Sequence, residues 1–306
     1  MARGKGRVKT SRRAAGLLAV QLAVGAVAAV AAWSGPACAE PLAWRITEGS
    51  GALALLGSVH YLRKQDYPLP PVVDRLYEEA GALLFELDLD DLDGSTIQAE
   101  LMAAALLPEG TSLEARLGPE LYALTERRAR EFGLGLHVLD RFEPWLAAIT
   151  LLDLGMAAEG FDPNRGVEQY LLGRATRDGK QVLGLESLGT QVAVFDGLSS
   201  ADQAALLEQT LSELDDPAAA IAPLVTAWRE GRLENLSAAL LDDFAEFPSL
   251  YDRLVVARNR AWVPELERHL AKGEHLLVVV GALHLVGPNS VIELLQQRGH
   301  RVQPIE

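Results

Sequence analysis

Ala52-Leu53-Ala54-Leu55-Leu56-Gly57-Ser58-Val59-His60 decides the reading of this chain, because its pattern returns near the other end as His275-Leu276-Leu277-Val278-Val279-Val280-Gly281-Ala282-Leu283-His284. Each is an apolar run of strand length followed by Gly-x-x-His. Runs of this length, apolar without strict alternation, predict strands buried on both faces, at Ala52 to Val59 and His275 to Val280.

The surroundings of the two runs also match. After His60 comes a loop from Tyr61 to Pro71 with three prolines, then a predicted helix over Val72 to Ala80 and a strand over Ala82 to Leu87. After His284 come Gly287-Pro288, a helix from Val291 to Arg298 stopped by Gly299, and a strand from Arg301 to Ile305. The chain therefore reads as α/β: a central sheet from two related β-α-β units at the chain ends, with a large helical insert from about Gln98 to Lys272. Before the first unit, Leu42 to Thr47 is a strand joined to Ala52 to Val59 by the turn Glu48-Gly49-Ser50-Gly51. Inside the insert, helices are expected over Pro119 to Phe132, Pro144 to Met156 and Gly166 to Asp178, then a short strand from Gln181 to Leu185. Further helices run from Ala201 to Leu241, broken near Pro217 and Gly231. The last begins at Pro248 and runs toward His269, with an interruption expected at Pro264.

The first 39 residues stand apart. Arg3, Lys5, Arg7, Lys9, Arg12 and Arg13 form a basic head without acids, Ala14 to Trp33 is apolar, and Ala37-Cys38-Ala39 is a small-x-small site. These are the parts of a secretory signal peptide, so residues 1–39 are expected to be removed near Ala39 and 40–306 to form the exported domain, periplasmic or extracellular. Uncleaved, the segment would be the one membrane contact. Ser11-Arg12-Arg13 is a faint twin-arginine signal. Cys38 is the single cysteine, so the mature chain has no disulfide, no thiolate metal site and no cysteine nucleophile. The formal charge of −14 becomes about −20 once the six basic residues leave, which argues against a nucleic-acid partner.

The candidate chemistry starts with His60 and His284. Each follows an apolar strand at its carboxyl end, where open α/β sheets bind ligands. The glycine three residues earlier permits close approach by a neighbour. Two imidazoles with one or two carboxylates can hold a divalent metal; the bland alternative is that each histidine caps a strand end. Glu86 interrupts the apolar run Leu83-Leu84-Phe85-Glu86-Leu87, a costly place for a carboxylate unless it is paired or ligates a metal. Glu186 follows Gln181-Val182-Leu183-Gly184-Leu185 and could equally be a helix N-terminal acid. One of the two would be a metal ligand beside His60 and His284, and the other a general base; the sequence leaves open which. Arg258, in the apolar stretch Leu254-Val255-Val256-Ala257-Arg258-Asn259, could pair with a site carboxylate or steady an oxyanion. Arg165 is a weaker candidate.

Asp88, Asp90, Asp91 and Asp93 lack calcium-loop spacing. His137, His269, His275 and His300 read as surface or strand-edge residues. Asn235-Leu236-Ser237 is a sequon by pattern only. No His-Glu-x-x-His, Gly-x-Ser-x-Gly or P-loop occurs, so zinc-protease, serine-hydrolase and nucleotide-binding readings lack their signatures.

Leu56-Gly57-Ser58-Val59-His60, Leu84-Phe85-Glu86-Leu87, Pro144-Trp145, Asn164-Arg165-Gly166-Val167, Gly179 to Glu186 with Gln191, Arg258-Asn259 and Val280 to Gly287, in this order and spacing, resemble TraB/GumN proteins, including PrgY- and TIKI-type members. The family often has Asp where this chain has Glu168. The resemblance covers everything after residue 39. It implies a divalent metal, Mn2+ or Co2+ with Zn2+ as a further candidate, and a protease whose essential residues carry over as His60, His284, Glu86 and Arg258. The expected function is a secreted metal-dependent hydrolase, a peptidase whose ion activates the attacking water, with a peptide or secreted protein as substrate. The alternatives are a non-catalytic binder of a peptide or envelope component and an accessory role in polysaccharide export.

Overall fold

The computed structural model describes residues 43–88, 94–232 and 247–305, with Leu236, Ser237, Leu241 and Phe244 between them; residues 94–98 are described by their backbone alone. The expected leader, Asn235 and three of the four clustered aspartates lie outside the described residues.

A hairpin opens the fold. β1 (Ala43–Glu48) pairs antiparallel with β2 (Gly51–Ser58), Ala43 opposite Leu56 and Glu48 opposite Gly51. The turn between them needs Gly49, whose φ is +58°. After α1 (Pro71–Glu79) comes β3 (Ala82–Leu87). A helical region follows: α2 (Gly94–Ala105), α3 (Leu113–Glu131), the short α4 (Leu136–Leu139), α5 (Pro144–Ala158) and α6 (Val167–Asp178). β4 (Gln181–Glu186) then joins the sheet, before α7 (Leu188–Asp196), α8 (Ser200–Glu213) and α9 (Pro217–Arg229). A π-helical turn at Asp252–Val256 leads directly into α10 (Ala257–Ala271). β5 (His275–Gly281), α11 (Val291–Gln297) and β6 (Val302–Pro304) close the chain.

The sheet order is β4-β3-β5-β2-β1-β6. β5 lies between β2 and β3 and parallel to both, so the end of the chain is threaded into its beginning. Side chains of β5 alternate between two cores. Leu277 and Val279 join α1 and the helical region on one face, while Leu276, Val278 and Val280 join α10 and α11 on the other. This explains why the strand is apolar at every position from Leu276 to Val280. The two faces follow from handedness: β2-α1-β3 and β5-α11-β6 cross the sheet in opposite directions, and right-handed crossovers in opposite directions cover opposite faces. In α1 the buried residues are Val73, Leu76 and Tyr77, spaced as one helical stripe and worth about 1.5–3 kcal/mol each.

The helix expected from Pro119 starts there: Gly118, with a φ of +75° that is not helical, separates it from a preceding helical turn that opens at Leu113 and is capped by Ser112. The interruption expected at Pro264 does not occur: α10 runs through it because Trp262, Val263, Leu266 and Leu270 bury one side in the second core. The backbone irregularity lies upstream instead, in the π turn. α2 opens the expected helical insert, and its alanine-rich sequence has no clear apolar stripe to mark its bounds. Among the described residues no helix is long and apolar enough to cross a membrane.

Candidate active site

The parallel pairing of β2 and β5 places Ser58 opposite Gly281, so both Gly-x-x-His motifs leave the same end of adjacent strands. From there the chain turns toward α1 on one face and α11 on the other. A crevice opens between such diverging connections. His284 sits in a 3-10 turn, Ala282–Leu285, and is 5% exposed. His60 sits in the loop after β2 and is partly open.

Gly281 stands where these groups meet. A Cβ added there would lie 3.4 Å from Glu86 Oε1, 3.7 Å from His284 Cδ2 and 3.8 Å from His60 Nε2. The volume of one absent methyl is thus bordered by both imidazoles and a carboxylate. They line a cavity of about 380 Å³, together with Glu168, Gln191 and Arg258, a size typical of small-molecule sites. Val194, Phe195, Leu224 and Leu254 form an apolar wall of the same cavity.

Each histidine is oriented through its Nδ1. Asn259 donates its Nδ2 to the Asn289 carbonyl at 2.9 Å, which turns its Oδ1 toward His284 Nδ1 at 2.7 Å. An oxygen acceptor there requires the Nδ1–H tautomer and leaves the Nε2 lone pair facing away. Burial depresses the basicity of His284, with a pKa pushed down to about 3, so the ring is neutral. His60 Nδ1 lies 3.0 Å from Glu168 Oε1, and Ser58 Oγ donates to the same oxygen. Burial would lower the pKa of His60, but the Glu168 carboxylate outweighs it and holds it up at about 9. Glu168 arrives because α6 starts against the His60 loop: a Cβ on Gly166 would stand 2.4 Å from the His60 carbonyl oxygen, so only glycine lets the chains touch there. Glu168 Oε2 is buried without a hydrogen-bond partner.

Glu86 is the penultimate residue of β3, next to β5. Its Oε1 accepts the Gly281 N–H at 2.8 Å; its Oε2 accepts from Arg258 Nη2 and, at 3.3 Å, from Gln191. Burial alone would raise its pKa, but Arg258 and the neighbouring imidazoles reverse the shift and hold it near 2. Arg258 Nη1 donates to His284 Nε2 at 3.1 Å, and Nε and Nη2 grip Glu186. The guanidinium also faces the Trp262 ring, whose Nε1 donates to Glu186 Oε2 at 3.1 Å.

Five residues singled out in the sequence, His60, Glu86, Glu186, Arg258 and His284, therefore meet. Their placements differ, however. Glu186 does not line the cavity and serves as the anchor of Arg258. Arg165 is not brought in; it pairs with Asp162 at 3.4 Å on the surface. Of the other histidines, His269 contacts Glu274 and His300 contacts Glu48 and Glu267, all outside the site. Glu168, Asn259 and Gln191 are site residues that the sequence showed only as members of the family motifs, with no role attached. The signals for Glu168 were that acid position and its place just after the close-approach glycine Gly166.

Residues 42–304 match the family described as TraB/PrgY/gumN. The chain belongs to this family. Among relatives of this TraB/PrgY/gumN member, the uncharacterized protein YbaP of Escherichia coli K12 is 28% identical over 249 residues, covering 81% of this chain and 89% of YbaP. An uncharacterized protein of Treponema pallidum is 24% identical over 279 residues, covering 85% of this chain and 81% of its own. The zebrafish (Danio rerio) protein named metalloprotease TIKI2 is 24% identical over 306 residues, covering 81% of this chain and 57% of TIKI2. No solved structure matches.

Whether this TraB/PrgY/gumN site fits a metal has a divided answer. The donor types fit: two imidazoles held through Nδ1, a carboxylate, and a shared space at Gly281, with the condition that His60, whose pKa is held up at about 9, sheds its proton before Nε2 can ligate. Yet among the described residues no group of three or more His, Cys, Asp or Glu stands ready to hold an ion. Arg258 occupies the His284 Nε2 lone pair and an oxygen of Glu86.

Proposed function

We propose that this chain is a metal-dependent hydrolase acting on peptide bonds. The observation that carries the reading is the convergence of His60 Nε2, His284 and Glu86 on the space beside Gly281, with both Nδ1 atoms tied to fixed oxygens. The zebrafish relative named a metalloprotease supports the same class. His60, His284 and Glu86 would hold a divalent ion, with Mn2+, Co2+ and Zn2+ as candidates. Bound there, the ion supplies a Lewis acid that polarises a carbonyl and acidifies water. The chain supplies the rest. Glu168 and Asn259 orient the two imidazoles. Glu168, whose Oε2 lacks a partner, takes the proton of the attacking water. Arg258, held by Glu186, offers N–H donors to the developing oxyanion. The apolar wall receives a substrate side chain and excludes water. We also read residues 1–39 as an export signal, which places the working domain in the periplasm or outside the cell.

The test is mass spectrometry of a peptide library incubated with the chain, with and without chelator and with His60→Ala or His284→Ala. Cleavage lost in all three conditions supports the reading. Cleavage indifferent to chelator and to both substitutions refutes it. The hold of Arg258 on His284 and Glu86 favours a second reading, a peptide binder without chemistry, which the same library would reveal as tight binding with no products.

A further inference from the structure

Arg258 is placed unusually for a residue whose only duty is to meet an oxyanion. Its side chain is 12% exposed, and every nitrogen of the guanidinium is engaged. One of those contacts is exclusive. A neutral imidazole protonated on Nδ1 has a single lone pair, on Nε2. While Arg258 Nη1 donates to that lone pair, His284 cannot ligate an ion. Glu86 Oε2 is shared in the same way, and a divalent ion entering beside the guanidinium would meet a like charge in a half-buried, low-dielectric place.

The guanidinium has somewhere to stay when it lets go. Nε lies 3.0 Å from Glu186 Oε1 and 3.3 Å from Oε2, and Nη2 also donates to Oε1. Nη1 has a second acceptor, the Leu254 carbonyl at 3.1 Å, within the π-helical turn that precedes α10. Such turns occur frequently at functional sites. Release of His284 and Glu86 thus breaks two contacts and keeps the remainder. Trp262 closes the far side, fixing Glu186 through its indole N–H.

We propose that Arg258 is an exchangeable resident cation: its guanidinium and a divalent ion compete for His284 and Glu86, and Glu186 retains the guanidinium when the ion enters. This rests on the metal dependence proposed above and assigns the site its regulation. Without metal, Arg258 neutralises the buried carboxylate and occupies the ligand atoms of His284 and Glu86. With metal, the same guanidinium would stay on Glu186, at the wall of the cavity it lines.

Calorimetric titration of the full chain with Mn2+ tests this through affinity, independent of turnover. Arg258→Met should bind Mn2+ about tenfold more tightly than wild type or better. Glu186→Gln should bind it several-fold more weakly, because the displaced guanidinium loses its anchor. The double variant should match Arg258→Met, since Glu186 acts only through Arg258. If Arg258→Met does not fold, nitrogen NMR of the wild-type chain with diamagnetic Zn2+ reads the same event: the His284 Nε2 resonance should shift while the Arg258 Nε–H signal, held by Glu186, persists. Wild type that binds Mn2+ as tightly as Arg258→Met overturns the competition and leaves metal dependence standing. A Glu186→Gln effect that persists in the double variant overturns the anchoring role. No Mn2+ or Zn2+ binding by any form overturns both the competition and the metal reading beneath it.

Discussion

Replacing Gly281 by alanine separates the site from the fold. The residue has φ −50° and ψ 135°, a region open to any L-residue, so alanine costs no backbone strain. Its methyl would meet Glu86 Oε1 at 3.4 Å and the two imidazoles at 3.7 and 3.8 Å, all ordinary contact distances. Glycine-to-alanine changes at compatible positions stabilise by about 0.4–1 kcal/mol through the unfolded state. For a domain of this size that raises Tm by about 1–3 °C. Function should suffer nonetheless, because the methyl fills the space toward which His60 Nε2, His284 and Glu86 converge. Ligand atoms must come within about 2.0–2.6 Å of a divalent ion, which a carbon in that space forbids. We expect Mn2+ affinity to fall about 100-fold or more, a loss at or beyond the upper end of that seen when an outer-shell partner is removed. Differential scanning calorimetry and metal titration on the same preparation check both halves. A variant that binds Mn2+ like wild type would show that the ion lies elsewhere. A Tm lowered by about 10 °C would show that the backbone there is not as permissive as its dihedrals imply.

Three further outcomes are expected. Gly166→Ala sets a Cβ 2.4 Å from the His60 carbonyl oxygen, so it should destabilise by about 1–3 kcal/mol and loosen Glu168 from His60, read as a lower denaturation midpoint together with weaker metal binding. Asn259→Leu removes the acceptor that sets the His284 tautomer; metal affinity should fall about 10- to 100-fold, and restoration by Asn259→Asp, which keeps the oxygen, would separate orientation from packing. N-terminal sequencing of the chain recovered from an exporting host should begin at Glu40; recovery of intact Met1 from the membrane fraction would mean that the segment anchors.

Much of this site was legible in the sequence for one reason. A carboxylate or imidazole at the end of an apolar run is expensive to bury, so its presence there advertises a partner. Glu86, His60 and His284 each showed that conflict. Glu168 and Asn259 did not, because an acid in the first turn of a helix and an amide within one are ordinary. Only the approach of α6 to the His60 loop, and of α10 to Ala282–Leu285, turns them into orienting groups. Nor could the sequence separate Glu86 from Glu186. Both lie at the carboxyl end of a strand in the same apolar context, and neighbouring parallel strands place them one strand apart, yet Glu86 faces the cavity and Glu186 is taken up by Arg258 and Trp262.

Local pattern alone determined which segments are strands, that the sheet is buried on both faces, and that two Gly-x-x-His turns sit at strand ends. Those features follow from periodicity and side-chain transfer cost, which act within a few residues. The threading of β5 between β2 and β3 was decided only by the packed structure. That pairing sets the two turns side by side and puts a guanidinium from α10 on the ligands expected for a metal. Strand order and the partner of a buried charge depend on contacts between residues 172 and 195 positions apart, such as Arg258 with Glu86 and Gly281 with Glu86. No short-range preference encodes contacts at that range, because their energy exists only once both faces of the sheet are covered.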